Sequence, residues 1–133
     1  MPLLVALLLA AVVAVVVPDD PRHTADGVYT RAQADAGRDV FLMACVSCHT
    51  PTQHAGGEFI AKWHGRSLGA LFDYLKQEMP KTDPGTMSDE EYVQVTAYLL
   101  RINRMPTGAR PLAVDAAALH RIRIDSVPSA PAR

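Results

Sequence analysis

The stretch Cys45-Val46-Ser47-Cys48-His49 constrains this chain more than any other. It holds both cysteines of the protein and places a histidine directly after the second. With two residues between them, the sulfurs can face the same edge of a flat ligand, and the next residue can swing its imidazole under the ligand's centre. The C-x-x-C-H spacing reads as covalent attachment of one c-type haem. Each sulfur would form a thioether with a vinyl-derived carbon, and His49 would ligate the iron. Histidine is the common proximal ligand of haem iron, and a methionine opposite it raises the reduction potential. Three other readings use the same residues. A thioredoxin-like pair needs a strand–helix–strand setting, and the flanks show no such strands. A structural zinc site usually takes four ligands, often as two pairs, and the second pair is missing. A disulfide suits an oxidising compartment but gives His49 no role.

A length of 133 residues fits one small domain, and a formal charge of −1 points away from nucleic acid and from a polybasic membrane patch. The apolar share of 49% is inflated by the uninterrupted Leu, Ala and Val of residues 3–17. What remains has a modest core, which a buried porphyrin would supplement. Residues 1–17 read as a signal peptide or an N-terminal membrane anchor. At ~1.5 Å per residue the run reaches ~26 Å, short of a ~30 Å hydrocarbon core. No Lys or Arg precedes Arg22 and no A-x-A site follows, so an anchor is favoured over a cleaved signal. Either reading puts the domain in the periplasm or on the exported face of the cytoplasmic membrane. Thioether attachment in bacteria takes place on that side.

Residues 18–30 read as a linker, 31–105 as the folded domain and 106–133 as a Pro/Ala-rich tail. A first helix is expected from Arg31 or Ala32 to about Ala44, with Ala32, Ala36, Val40, Phe41 and Met43 on one face and Gly37 inside it. Thr50 to Arg66 reads as a loop, because Pro51, Gly56, Gly57 and Gly65 punctuate it. Within it, Trp63 is either a packing residue or an indole donor to a haem propionate, and His54 and His64 read as surface residues. A second helix follows from Ser67, an N-cap, to about Glu78. Met79-Pro80 ends it. Ser88-Asp89-Glu90-Glu91 is a capping box opening the last core helix, which runs to about Asn103. Beyond Pro106 only Ala116–Leu119 and Arg121–Ile124 carry any ordering signal, and residues 127–133 read as disordered.

A haem that only carries electrons needs a sixth ligand. Met43 precedes the attachment site on its own helix, and Met105 lies past the last one. Met79 stands where a helix gives way to an extended turn, which frees its thioether. Met87 abuts the Ser88 cap. Met79 is therefore preferred, with Met87 second, and a histidine or an open position behind both. An open position would make the protein a haem enzyme or a gas sensor.

With these elements placed, residues 27–110 resemble a class I monohaem cytochrome c. The resemblance rests on "GVYTRAQADAGRDVF…CVSCH", "W-x-G-x-S-L-x-x-L-F-x-Y", "MP…PG-x-x-S-D-x-E-Y" and "AYLL". It implies an all-α fold: a cytochrome c-like bundle of about three core helices around one covalently bound haem. It also implies that Gly37 and Phe41 pack against Tyr98 where two helices cross, and that the methionine of the "MP" pair, Met79, is the distal ligand. Similar bacterial proteins are small carriers or electron-accepting subunits of dehydrogenases. The partners implied are redox proteins (a dehydrogenase, an oxidase or another cytochrome), and the role is electron carriage rather than catalysis. One departure stands out: the proline whose carbonyl usually receives the proximal histidine's N–H is missing. A carbonyl near Gly57 to Ala61 is expected to replace it.

Overall fold

The computed structural model describes residues 22–126. The leader or anchor read at residues 1–17 and the disorder read at 127–133 lie outside them. Five helices follow in order: α1 (Arg31–Ala44), α2 (Gly57–Trp63), α3 (Leu68–Glu78), α4 (Asp89–Ile102) and α5 (Ala116–His120). Single 3-10 turns occupy Thr24–Asp26 and Pro51–His54. Two short strands, β1 (Arg22–His23) and β2 (Ile122–Arg123), pair in parallel with Arg22 opposite Ile122. Among the described residues no helix is long and apolar enough to cross a membrane.

The helix starts follow from local chemistry. Helices α1, α3 and α4 begin at Thr30, Ser67 and Ser88, whose hydroxyls accept the N–H of Gln33, Ala70 and Glu91. Each bond satisfies a donor that has no partner inside the helix. At Ser88 the box closes reciprocally, with Glu91 Oε2 accepting the Ser88 N–H at 2.8 Å. The expected boundaries of these three helices are met within a residue or two.

Helices α1 and α4 cross at Gly37. A Cβ there would run into the Gln94 carbonyl and lie 3.0 Å from the Tyr98 Cβ. One turn on, Phe41 packs against Tyr98 with ring centroids 5.4 Å apart. The crossing implied by the family resemblance is therefore present. Helix α4 is the centre of the core: Tyr92, Val93, Ala97 and Leu100 are fully buried, and α3 adds Leu68, Leu71 and Phe72.

The fold contains more than the three expected core helices. Residues 57–63, read as loop, form α2, because Phe59 and Trp63 fall four apart and bury one face of a short helix. Residues 22–30, read as linker, send Val28 and Tyr29 into the core, where the Tyr29 hydroxyl donates to the Met105 carbonyl at 2.6 Å. The segment after Pro106 folds back. The Gln33 amide brackets Leu112, donating to its carbonyl and accepting its N–H, and Leu119, Ile122 and Ile124 are buried. His120 bridges Ser67 and Asp73 at 3.0 and 2.8 Å, against the bare face of Gly69. Asp125 ties the segment after β2 to the turn that precedes α1. It accepts from the Ala25 N–H at 2.9 Å and lies 3.0 Å from the His23 imidazole.

Candidate functional site

Helix α1 ends in a turn that presents the cysteines. The Cys45 N–H still donates to Phe41, and the N–H groups of Cys48 and His49 both donate back to the Cys45 carbonyl at 3.1 and 3.0 Å. The backbone thereby coils once more and stops. The two cysteines are not joined to each other. Burial pushes the Cys45 thiol above its usual value.

This turn borders a cavity of about 330 Å³. Cys45, Cys48 and His49 line one side, Met79 and Met87 reach it from the segment after α3, and Phe59, Leu71, Val95 and Leu99 supply apolar wall. The sequence-predicted residues are thus brought together around one space. Met79 is the C-cap of α3 and lies in extended backbone, φ −132° and ψ 148°. The Met79–Pro80 bond is cis. Its carbonyl accepts the Tyr92 hydroxyl at 2.7 Å, and the same hydroxyl accepts the Gly85 N–H at 3.0 Å. Met87 is half-buried, packs on the core and also borders the cavity. Met43 is 77% exposed and does not line it. Met105 is buried elsewhere, within 3.5 Å of the Thr24 hydroxyl.

Trp63 closes α2 and borders the same cavity. Its ring meets Tyr74 edge-on at 5.4 Å. The Arg66 guanidinium stands 4.5 Å from the indole centroid, and the Lys62 ammonium lies 3.9 Å from that of Tyr74. Cations over aromatic faces contribute about 0.5–1 kcal/mol each at exposed sites. They also leave positive charge beside this end of the cavity.

His64 is exposed, as expected, whereas His54 is only partly so. It is half-buried, lines the cavity, and packs edge-on against the His49 ring with centroids 4.8 Å apart. Phe41 also meets the His54 ring edge-on, with centroids 6.3 Å apart. Burial first, then the nearby His49 and Lys62, pushes the His54 imidazole below its usual value. No spacing rule singles this residue out. Its placement depends on a hydrogen bond that its backbone carbonyl accepts from the Asn103 side-chain amide, 49 positions away.

The residues present fit a covalently held porphyrin. The walls are apolar, two thiols stand on one turn, an imidazole follows them, and thioether side chains border the same space. A family model described as "Cytochrome C oxidase, cbb3-type, subunit III" matches residues 32–99, from the start of α1 into α4. The chain belongs to this family. No curated protein and no solved structure matches it. The matched span takes in the C-x-x-C-H turn, the cavity and both methionines that border it. The protein therefore contains a cytochrome c domain, an electron-transfer haem unit with covalently bound porphyrin. The folded segments before residue 32 and after residue 99 add the clasp of β1, β2 and α5 to that cytochrome c unit.

Proposed function

We propose that the protein carries single electrons through one haem, joined to Cys45 and Cys48 and held axially by His49 and Met79. The observation that carries this reading is the convergence of the C-x-x-C-H turn and Met79 on one apolar cavity. When bound, the haem supplies the one-electron chemistry. The chain's part is ligation, burial and docking. The apolar wall disfavours the extra positive charge of the oxidised form and so raises the potential. Met79 is preferred to Met87 because its extended backbone frees the side chain, whereas Met87 is held by the Ser88 cap directly after it. Trp63, between cations at the cavity edge, is assigned to orient a propionate through its indole N–H.

The domain works on the exported side of the cytoplasmic membrane, with residues 1–17 as leader or anchor, and exchanges electrons with another redox protein. A second reading, a haem subunit within a larger oxidoreductase, is favoured by the family description, which is that of an oxidase subunit. The test is protein exported with full maturation machinery and examined by mass spectrometry and optical spectroscopy together. One porphyrin adduct surviving denaturation and a low-spin spectrum are expected. Correctly exported but colourless protein overturns the reading.

A further inference from the structure

Asn103 is the C-cap of α4 and only 1% exposed, yet its side chain spends its hydrogen bonds largely on another segment. One donor stays local, to the Leu99 carbonyl at 2.8 Å, and the amide also donates to the His54 carbonyl at 2.8 Å. Its oxygen accepts the Gly56 N–H at 2.9 Å. A primary amide has two N–H donors and one carbonyl acceptor group, and here both kinds are engaged. Gly56 meets that oxygen from φ 74°, ψ −141°, a backbone conformation side chains resist. The turn Pro51–His54 that follows the haem-attachment residues is thus fastened at two points to the end of the most buried helix. What it carries inward is the His54 ring, which meets both His49 and Phe41 edge-on.

We infer that Asn103 is a positioning residue for the proximal ligand. By fixing the His54 carbonyl and the Gly56 amide, it holds the His54 ring as a stop against which the His49 imidazole keeps one rotational setting. This inference rests on the haem reading above. The physical logic is that of an outer partner orienting a ligating imidazole, with ring packing in place of the usual hydrogen bond. The amide is chemically suited to the task. An aspartate would keep the acceptor for Gly56 and lose both donors. An alanine would lose all three bonds and leave the His54 carbonyl and Gly56 N–H without their buried partner.

The experiment uses the full haem-loaded protein and its Asn103→Ala, Asn103→Asp, His54→Ala and Asn103→Ala/His54→Ala forms. Imidazole orientation is read from the hyperfine-shifted haem-methyl resonances of the oxidised protein, and local opening from hydrogen exchange of the Gly56 amide. Asn103→Ala is expected to speed Gly56 exchange roughly tenfold and to change the haem-methyl shift pattern in the same sense as His54→Ala. The double variant should move that pattern no further than His54→Ala alone, since the two act in series. Asn103→Asp should retain part of the Gly56 protection while still shifting the methyl pattern. A lower melting temperature with an unchanged pattern in Asn103→Ala, or additive shifts in the double variant, overturns the inference. Should Asn103→Ala fail to mature, an unchanged methyl pattern in His54→Ala overturns it as well. Absence of any haem adduct in the unsubstituted protein instead removes the reading beneath it, and mass analysis separates the two failures before any variant is made.

Discussion

Tyr92→Phe isolates the hydroxyl that holds the Met79 segment. The Tyr92 ring is fully buried and meets Phe72 edge-on at 6.4 Å, and phenylalanine keeps that ring in place. Little packing is lost, and no large cavity opens. What goes is the bond to the Met79 carbonyl and the bond from the Gly85 N–H. Each is worth about 0.5–1.5 kcal/mol net. Gly85 is exposed, so water can take over its N–H. Met79 is half-buried, so its carbonyl is only partly rescued. The expected loss is about 1–2 kcal/mol, falling on residues 79–87 rather than on the whole fold. In opening equilibrium that is a factor of roughly 5–30. Hydrogen exchange of the Gly85 amide should accelerate by that factor, while amides of the α1–α4 crossing keep their protection. In the haem-loaded oxidised protein, added imidazole should displace the distal ligand more readily by a similar factor. Unchanged Gly85 exchange together with unchanged imidazole affinity refutes the assignment of this hydroxyl as the clamp, whatever the melting temperature does.

Three further perturbations follow from the same contacts. Met79→Ala should abolish the low-spin methionine-ligated spectrum and admit carbon monoxide rapidly in the reduced state, whereas Met87→Ala should leave the spectrum intact; the reverse pattern exchanges their roles. Gly37→Ala forces a methyl into the Gln94 carbonyl at the helix crossing and should cost about 1–3 kcal/mol in urea unfolding, against a gain from helix propensity of at most ~1 kcal/mol. At Asp125 burial raises the carboxyl, but hydrogen bonds from Ala25, His23 and Thr24 together outweigh it and hold it below its ordinary value. A depressed carboxyl contributes stability above its unfolded value of about 3.9 and loses it as pH falls through the folded one. The stability gap between the native chain and Asp125→Asn, measured by denaturant, should therefore be full at neutral pH and close below about pH 4; a gap that persists in strong acid contradicts this.

The parts of the site legible in the sequence are those whose cause is local. A C-x-x-C-H turn carries its chemistry within five residues. The Ser88 box announces α4 within four, and Met79-Pro80 marks its own break in the chain. The parts that were not legible depend on partners far along the chain. Helix α2 has only Phe59, Ile60 and Trp63 to signal it, and two glycines at its start, Gly56 as the cap and Gly57 as the first residue, read as loop. Leu112, Leu119, Ile122 and Ile124 are isolated apolar residues among Pro, Ala and Arg. They become core only because Gln33, α3 and the Arg66 carbonyl are there to receive them. His54 looked like a loop histidine for the same reason.

Asn103 is visible in the sequence only as the end of a helix, and Tyr92 only as the last residue of the PG-x-x-S-D-x-E-Y run, yet these two connect α4 to two segments that border the cavity. They stand eleven positions apart, about 16 Å along a helix, one fastening the segment of Met79 and the other the turn that backs His49. A helix is stiff over that length, and α4 is buried along most of it, so the spacing of the two fastenings is set by backbone geometry rather than by either loop. It follows that a change at one end should loosen one of these two segments and leave the other as it was. Tyr92→Phe should leave the His49 orientation signals unmoved, and Asn103→Ala should leave imidazole displacement of the distal ligand unmoved. Cross-talk between the two in these single variants would mean that the loops, not α4, set the geometry around the iron.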